Sequence, residues 1–83
     1  MFDVKISDLA LEEFDDLPAS IQERIHAVVE RLKYWPNLTG AKPLVENWRG
    51  HFRIRTGDYR IIFRPLGKTI FVERIANRRD IYE

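Results

Sequence analysis

The chain has 83 residues, of which 45% are hydrophobic and none is cysteine, and its formal net charge is +1. This length allows one domain with a modest core, so we expect a single domain over residues 1–83. The absence of cysteine excludes disulfides and thiolate metal sites, and the lack of a long apolar run or a signal-peptide pattern predicts a cytoplasmic protein that does not contact membranes.

The first half of the chain has the pattern of one strand followed by two helices. Alternating apolar and polar residues over Phe2–Ile6 predict a strand. Ser7 is a candidate N-cap for a helix over Asp8–Leu17. Pro18 separates this helix from a second one, for which Ser20-Ile21-Gln22-Glu23 has the capping-box pattern. The two helices should form an antiparallel hairpin that packs on a sheet.

The second helix is predicted by apolar residues that recur every three or four positions. Trp35-Pro36 should end it, because a residue before proline disfavours helical geometry. The apolar positions are Ile21, Ile25, Val28, Leu32 and Trp35. His26 lies off this stripe and should be exposed.

The acidic residues of the first helix do not predict a metal site. They are nearly consecutive in sequence instead of grouped on one helical face, so a solvated surface is expected. The residues are Glu12, Glu13, Asp15 and Asp16. We therefore expect neither a metal ion nor a cofactor.

Residues 36–50 are predicted to form a loop, in which Trp48 is either a core residue or an anchor for a partner. From His51 onward the hydrophobic period changes to two, which predicts three strands. Their ranges are His51–Thr56, Tyr59–Arg64 and Thr69–Ala76. The element order is β-α-α-β-β-β. The predicted fold is therefore α+β, with the helical hairpin packed on a small, mainly antiparallel four-stranded sheet.

A tight turn at Gly57-Asp58 would fix the register of the first two of these strands. One face of the hairpin would then be apolar and would pack against the helices, with Phe52, Ile54, Tyr59, Ile61 and Phe63. The opposite face would be basic, with His51, Arg53, Arg55, Arg60 and Arg64. In this register Arg55 faces Arg60, which is unfavourable for stability because like charges repel across a strand pair.

This like-charge face coincides with a charge asymmetry along the chain. Residues 1–47 carry nine acids and five bases, whereas residues 48–83 carry nine bases and four acids. Eight of those nine bases are arginine, which forms bidentate hydrogen bonds with phosphate oxygens. We favour a polyanion-binding face. The alternative is a solvated sheet face neutralised by Glu73, which a four-residue turn over residues 65–68 would place opposite Arg60.

The C-terminal tail adds Arg78, Arg79 and Tyr82 to this set. Together these groups could support RNA cleavage without a metal, in which the 2′-hydroxyl attacks the adjacent phosphate. Arginine can stabilise the developing negative charge but cannot transfer a proton, because its pKa is above about 12. The candidates for proton transfer are therefore His51 and Tyr82.

Two segments resemble known motifs of the RelE/ParE superfamily of toxins. The stretch Phe52–Phe63, with its basic-hydrophobic-basic strand and Gly-x-Tyr-Arg turn, resembles the central motif of RelE-like toxins. The ending Ile75–Tyr82 resembles their closing motif of arginine and terminal tyrosine. The resemblance implies a toxin that cleaves mRNA in the ribosomal A site, that is paired with a cognate antitoxin, and that contacts operator DNA only through that antitoxin.

The resemblance also implies roles for individual residues. Arg53, Arg55, Arg60, Arg78 and Tyr82 match the catalytic set, and Arg53, Arg55, Arg64 and Arg79 are expected to bind RNA phosphates. Arg60 and Arg78 would stabilise the phosphate, and Tyr82 would transfer a proton or stack on a base. This sequence has arginine at positions 53 and 55, whereas lysine is typical of the best-known RelE-like toxins. The alternatives are a ParE-like inhibitor of DNA gyrase and an inactive homologue that acts only with its antitoxin.

Overall fold

The structure is a computed structural model that describes residues 1–77 and 79. Two α-helices and four strands follow one another in the predicted order, and a short fifth strand lies between the second helix and the β-hairpin. Two 3-10 helices, Leu32–Tyr34 and Glu46–Trp48, complete the regular structure of the described residues. The elements are β1 (Asp3–Ile6), α1 (Asp8–Asp15), α2 (Ala19–Arg31), β2 (Lys42–Pro43), β3 (Phe52–Thr56), β4 (Tyr59–Leu66) and β5 (Thr69–Asn77). The α+β fold is confirmed, and β2, inside the predicted loop, enlarges the sheet to five strands. No helix in the described residues is long and apolar enough to cross a bilayer.

The start of α1 and the role of Pro18 in opening α2 are confirmed, whereas the capping box of α2 is not. Ser7 caps α1 with its Oγ, which accepts a hydrogen bond from the Ala10 amide at 3.0 Å. The α2 helix begins at Ala19 with Pro18 as its N-cap, and no side chain caps it. The predicted capping box at Ser20 is therefore wrong. The Pro18 carbonyl accepts from the Ile21 and Gln22 amides, so the helix starts before Ser20 is reached.

The sheet has the strand order β1-β5-β4-β3-β2, with β1 parallel to β5 and the other pairs antiparallel. The β3–β4 hairpin has the predicted register, including Arg55 opposite Arg60. Its turn requires Gly57, which has a φ of 58° and whose added Cβ would lie 2.5 Å from Arg24 Nη2. A side chain at this position would therefore be strained.

The β4–β5 connection differs from the prediction. Leu66 pairs with Thr69, so the turn contains two residues, Gly67 and Lys68, instead of four. A β-bulge then shifts the pairing by one residue, because Phe63 pairs with Val72 and Ile62 pairs with Arg74, which leaves Glu73 of β5 without a partner in the ladder. Arg60 therefore faces Ala76. The predicted pairing of Glu73 with Arg60 is therefore wrong, because the shorter turn and the bulge both change the register.

The main core lies between the helices and the inner face of the sheet. Its fully buried side chains come from both layers and include Ile25, Leu32, Ile61, Phe63, Ile70, Val72 and Ile75. Phe63 contacts the rings of Trp35 and Phe52, with centroid distances of 5.5 and 5.9 Å. A smaller cluster of Leu44, Ile62 and Ala76 lies on the outer face, and Trp48 packs against it.

On the edge of β5 that does not face β4, the C-terminal half of the strand is bound by α1 instead of by a second strand. The β1–β5 ladder ends where Ile6 pairs with Val72. Beyond it, the Glu13 carboxylate accepts from the Ile75 amide at 2.9 Å and from two nitrogens of Arg74 at 2.7 and 3.1 Å. Ser7 Oγ also donates to the Glu73 carbonyl at 3.0 Å. These side chains hold the strand segment that carries the candidate site.

Candidate nucleic-acid interface

The outer surface of the sheet, which faces away from the helices, carries cations from all five strands, of which Arg74 on β5 is paired with Glu13. We call this surface the basic face, and define it by the other cations that the register places on this side: Lys5, Lys42, Arg53, Arg55, Arg60 and Arg64. Directly paired residues project to the same side of a sheet. Arg55 therefore lies beside Arg60, and Lys42 lies beside Arg53.

The apolar cluster beneath the basic face supports its central arginines. Ile62 is fully buried although it points outward, and Ala76, opposite Arg60, is 7% exposed. The Nε atoms of Arg60 and Arg64 are buried, whereas both residues as a whole are partly exposed. The arginine stems therefore lie along the protein surface. This arrangement restricts where the guanidinium groups can point.

His51 lies within the protein instead of opening towards solvent. Its side chain is 13% exposed, and Nε2 is 2.8 Å from a carboxylate oxygen of Glu73. Nδ1 faces the Arg49 carbonyl at 3.4 Å, and the ring meets Trp48 edge-on at a centroid distance of 5.1 Å. Both ring nitrogens thus face protein acceptors, which favours a role in orienting Glu73 over direct contact with a substrate.

Glu73 neutralises one end of the basic face. Its second carboxylate oxygen lies 3.9 Å from Arg64 Nη2. The pairing of Arg60 with Ala76 puts Glu73 away from the Arg55–Arg60 pair. Glu73 and Asp3 are the two acids that the described strands contribute to this side of the sheet. The positive charge is therefore concentrated at the end with Arg53, Arg55 and Arg60.

The arrangement can bind a phosphate and stabilise negative charge that develops on it. Two adjacent guanidinium groups can each form paired hydrogen bonds with phosphate oxygens. Fixed cations of this kind lower the barrier for reactions in which charge accumulates on oxygen. Among the described residues, no group of three His, Asp or Glu side chains could hold a metal ion.

The structure brings together five of the residues expected from the sequence, namely His51, Arg53, Arg55, Arg60 and Arg64. Arg79 is exposed, and its amide donates to Asn77 Oδ1 at 3.1 Å. Arg78 and Tyr82 lie outside the described residues. Sequence reasoning missed Lys42, because a strand of two residues has no readable alternation.

Comparison with known protein families shows which family contains this chain. Residues 4–82 match the family model described as the ParE toxin of the type II toxin–antitoxin system parDE. The chain belongs to the ParE toxin family. The match covers both helices of this ParE-family toxin and every strand except the first residue of β1.

Relatives of this ParE-family toxin carry the names of RelE toxins, which confirms the RelE/ParE superfamily. Toxin RelE3 of Methanocaldococcus jannaschii is 28% identical over 76 residues, which span 88% of this chain and 86% of the relative. The Mycobacterium tuberculosis RelBE2 toxin–antitoxin complex contains a chain with a TM-score of 0.81 and 26% identity, covering 93% and 98% of the two chains. A chain of the Pyrococcus horikoshii RelE–RelB complex has a TM-score of 0.77 and 25% identity, and the match covers 93% of this chain and 94% of that one.

Proposed function

We propose that this toxin is a ribosome-dependent mRNA endonuclease that inhibits translation. The observation that carries the proposal is the Arg55–Arg60 pair, which lies directly across two hydrogen-bonded strands on the basic face. Facing like charges lower the stability of a sheet, and violations of this kind are typical of functional sites. A bound phosphate would relieve the repulsion. The relatedness to RelE toxins supports RNA as the source of that phosphate.

The proposed reaction is attack of an RNA 2′-hydroxyl on the adjacent phosphorus. The new bond forms between the 2′ oxygen and phosphorus, and the bond from phosphorus to the 5′ oxygen breaks. Arg60 and Arg55 would stabilise the charge on the equatorial oxygens, and Arg53 and Lys42 would bind a neighbouring phosphate. The match to the RelE-like closing motif assigns the same task to Arg78, which lies outside the described residues.

The attacking 2′-hydroxyl loses a proton and the leaving 5′ oxygen gains one, and this proton transfer needs a different residue, because guanidinium groups stay protonated. Tyr82, which matches the terminal tyrosine of RelE-like toxins, is the residue we assign to it. His51 remains the second candidate by its chemistry, but its Nε2 contact with Glu73 favours a positioning role. In that role His51 and Glu73 together would hold Arg64 at the edge of the phosphate path.

Inhibition of DNA gyrase is the second candidate function. It is favoured by the match to the ParE family model and by arginine at positions 53 and 55, since RelE-like nucleases typically have lysine there. An inactive homologue that acts only with its antitoxin would have the same substitutions. The Arg55–Arg60 pair favours the nuclease, because a protein-binding surface has no evident need for two facing guanidinium groups.

Primer extension on an mRNA translated in a reconstituted system tests the nuclease. We expect cuts at defined codon positions when purified toxin and ribosomes are both present, and no cuts when ribosomes are omitted. Protein that still binds its antitoxin but produces no cuts would contradict the proposal. A gyrase supercoiling assay on that same protein would then separate the second candidate from an inactive homologue.

We also propose that a cognate antitoxin binds the free edge of β1. The Asp3 amide donates to the Lys68 carbonyl just before β5, and the Ser7 amide donates to the Val72 carbonyl in β5, so the backbone groups of Val4 and Ile6 point away from the sheet. Beside this edge is a groove of about 350 Å³ between β1 and α2, lined partly by Phe2, Val4, Ile6 and Val29. A free edge next to apolar pockets is typical of sites that accept an added strand. The RelBE complexes of relatives support an antitoxin as the occupant.

Replacing Ile6 with aspartate should weaken antitoxin binding by about tenfold or more. Ile6 is 41% exposed and lines the groove, so the change adds charge where an apolar side chain of the partner would dock, without opening the core. Isothermal titration with the antitoxin encoded beside the toxin measures the effect. The matched control is Val45→Asp, at a 69% exposed position away from the groove. Equal affinities for both variants would contradict this docking site.

A further inference from the structure

We propose a second RNA-binding subsite on the basic face, formed by Lys5, Phe71 and Arg64, which takes a nucleotide flanking the one that is cleaved. This inference rests on the proposed function. The register pairs Lys5 with Phe71 and Phe71 with Arg64, so the three side chains form one row across β1, β5 and β4. An aromatic ring between two cations provides a stacking surface for a base and charges for its phosphates.

Phe71 is set apart from the other aromatic residues of the described strands. Its neighbours Ile70 and Val72 are fully buried in the main core, so Phe71 projects to the opposite side of the sheet. Its ring packs against neither the main core nor the small outer cluster in the described part of the chain. A partly exposed phenyl ring in an inner strand therefore has no core-packing role in the described structure. Binding a flat ligand would account for it.

Arg64 and Phe71 already form a cation–π pair. The guanidinium carbon of Arg64 lies 5.9 Å from the centroid of the Phe71 ring, and the arginine side chain is 42% exposed. The Glu73 carboxylate lies on one side of this guanidinium, with its oxygen 3.9 Å from Nη2, and limits its rotation. Guanidinium planes and phenyl rings both stack on nucleobases, so a base can stack on this pair. Such stacking does not depend on which base is bound.

The row is distinct from the proposed cleavage centre. Arg64 follows Arg60 by four residues along β4, which corresponds to about 13 Å at the rise of a strand. A single phosphate cannot contact cations at both places, so the row would take a neighbouring nucleotide. Lys5 lies on the far side of Phe71 from Arg64 and is exposed, so it can meet that nucleotide's phosphate. Asp3, on the same side of β1 and two residues away, ends the basic stretch.

Fluorescence anisotropy with RNAs that carry 2′-O-methyl groups, and so cannot be cleaved, tests this subsite. We expect Phe71→Leu to weaken binding of a labelled octanucleotide about tenfold and to change binding of a trinucleotide less than about twofold. Lys5→Gln should lower the slope of the logarithm of the octanucleotide binding constant against the logarithm of salt concentration by about one, the amount expected for one lost phosphate contact. The control is Tyr34→Leu, which removes a 52% exposed aromatic ring from the short 3-10 helix Leu32–Tyr34, outside the strands of the sheet.

The outcomes separate this inference from the proposed function. Octanucleotide binding that is unchanged in both Phe71→Leu and Lys5→Gln overturns the subsite, even if the wild type cuts mRNA on ribosomes. Length-dependent loss in these two variants supports the subsite, even if no cleavage occurs. Melting temperatures measured beside the titrations should match the wild type within a few degrees, because neither residue packs in a core cluster. Lys5→Gln keeps the test decisive if Phe71→Leu fails to fold.

Discussion

Replacing Arg60 with alanine should lower the rate of ribosome-dependent mRNA cleavage by about 100- to 1000-fold, the usual loss when one fixed donor to a reacting oxygen is removed. Arg60 lies between Arg55 on β3 and Ala76 on β5, and its Nε is buried. The backbone cannot supply an equivalent charge at this point. Primer extension over time, at saturating toxin, measures the rate.

The matched control for Arg60 is Arg31→Ala, which removes an exposed arginine from the end of α2 and the same net charge. This variant should cleave at a rate within about twofold of the wild type. Arg60→Lys should fall between the wild type and Arg60→Ala, because lysine keeps the charge but lacks the planar fork. If cell growth is still inhibited by Arg60→Ala and by Tyr82→Ala alike, RNA cleavage is not the toxic activity.

Replacing Phe63 with alanine should lower the free energy of unfolding by about 3–5 kcal/mol. Phe63 is fully buried, and its ring contacts Trp35 and Phe52 in the centre of the main core. A domain of this size has only a few kcal/mol to lose, so the isolated variant should be largely unfolded at 37 °C. Urea denaturation followed by tryptophan fluorescence measures the change, since Trp35 reports on the same cluster.

The control for this prediction is Phe71→Ala, which removes the same side chain from the basic face. We expect a loss of about 1 kcal/mol or less, because Phe71 packs in neither core cluster. Similar losses at the two positions would contradict the placement of the core. Antitoxin that binds only the folded toxin should raise the apparent stability of Phe63→Ala with the logarithm of the antitoxin concentration.

The sequence was sufficient to predict the β3–β4 hairpin and therefore the centre of the candidate site. Gly57-Asp58 marks a two-residue turn, and alternation on both sides fixes which residues face one another. The Arg55–Arg60 pair follows from these local signals alone. The main core could be anticipated for the same reason, because Ile25, Val28 and Leu32 recur at helical spacing.

The parts that were not predicted depend on contacts between distant segments. Lys42 joins the basic face only because two residues of a loop pair with β3. Glu73 faces His51 and Arg64, because a bulge in β5 displaces it from the expected row. At the start of α2 the proline signal was right and the capping-box signal was wrong, because the helix begins at Ala19, directly after Pro18 and before Ser20. Arg78 and Tyr82 keep the roles that the resemblance implies, since they lie outside the described residues.

The bulge at Glu73 inverts the alternation of side chains between the two faces of β5. With one extra residue between the Phe63–Val72 and Ile62–Arg74 pairs, every later residue of β5 is turned to the opposite side from where an unbroken ladder would put it. Ala76 therefore lies opposite Arg60, where Ile75 would otherwise lie. Deleting Glu73 would remove the bulge and still leave Ile75 opposite Ile61 and Ala76 opposite Arg60, because the pairs on both sides of the bulge already have this register. The bulge thus gives β5 one position outside its alternation, and the residue at that position, Glu73, contacts His51 and Arg64 beside the basic face.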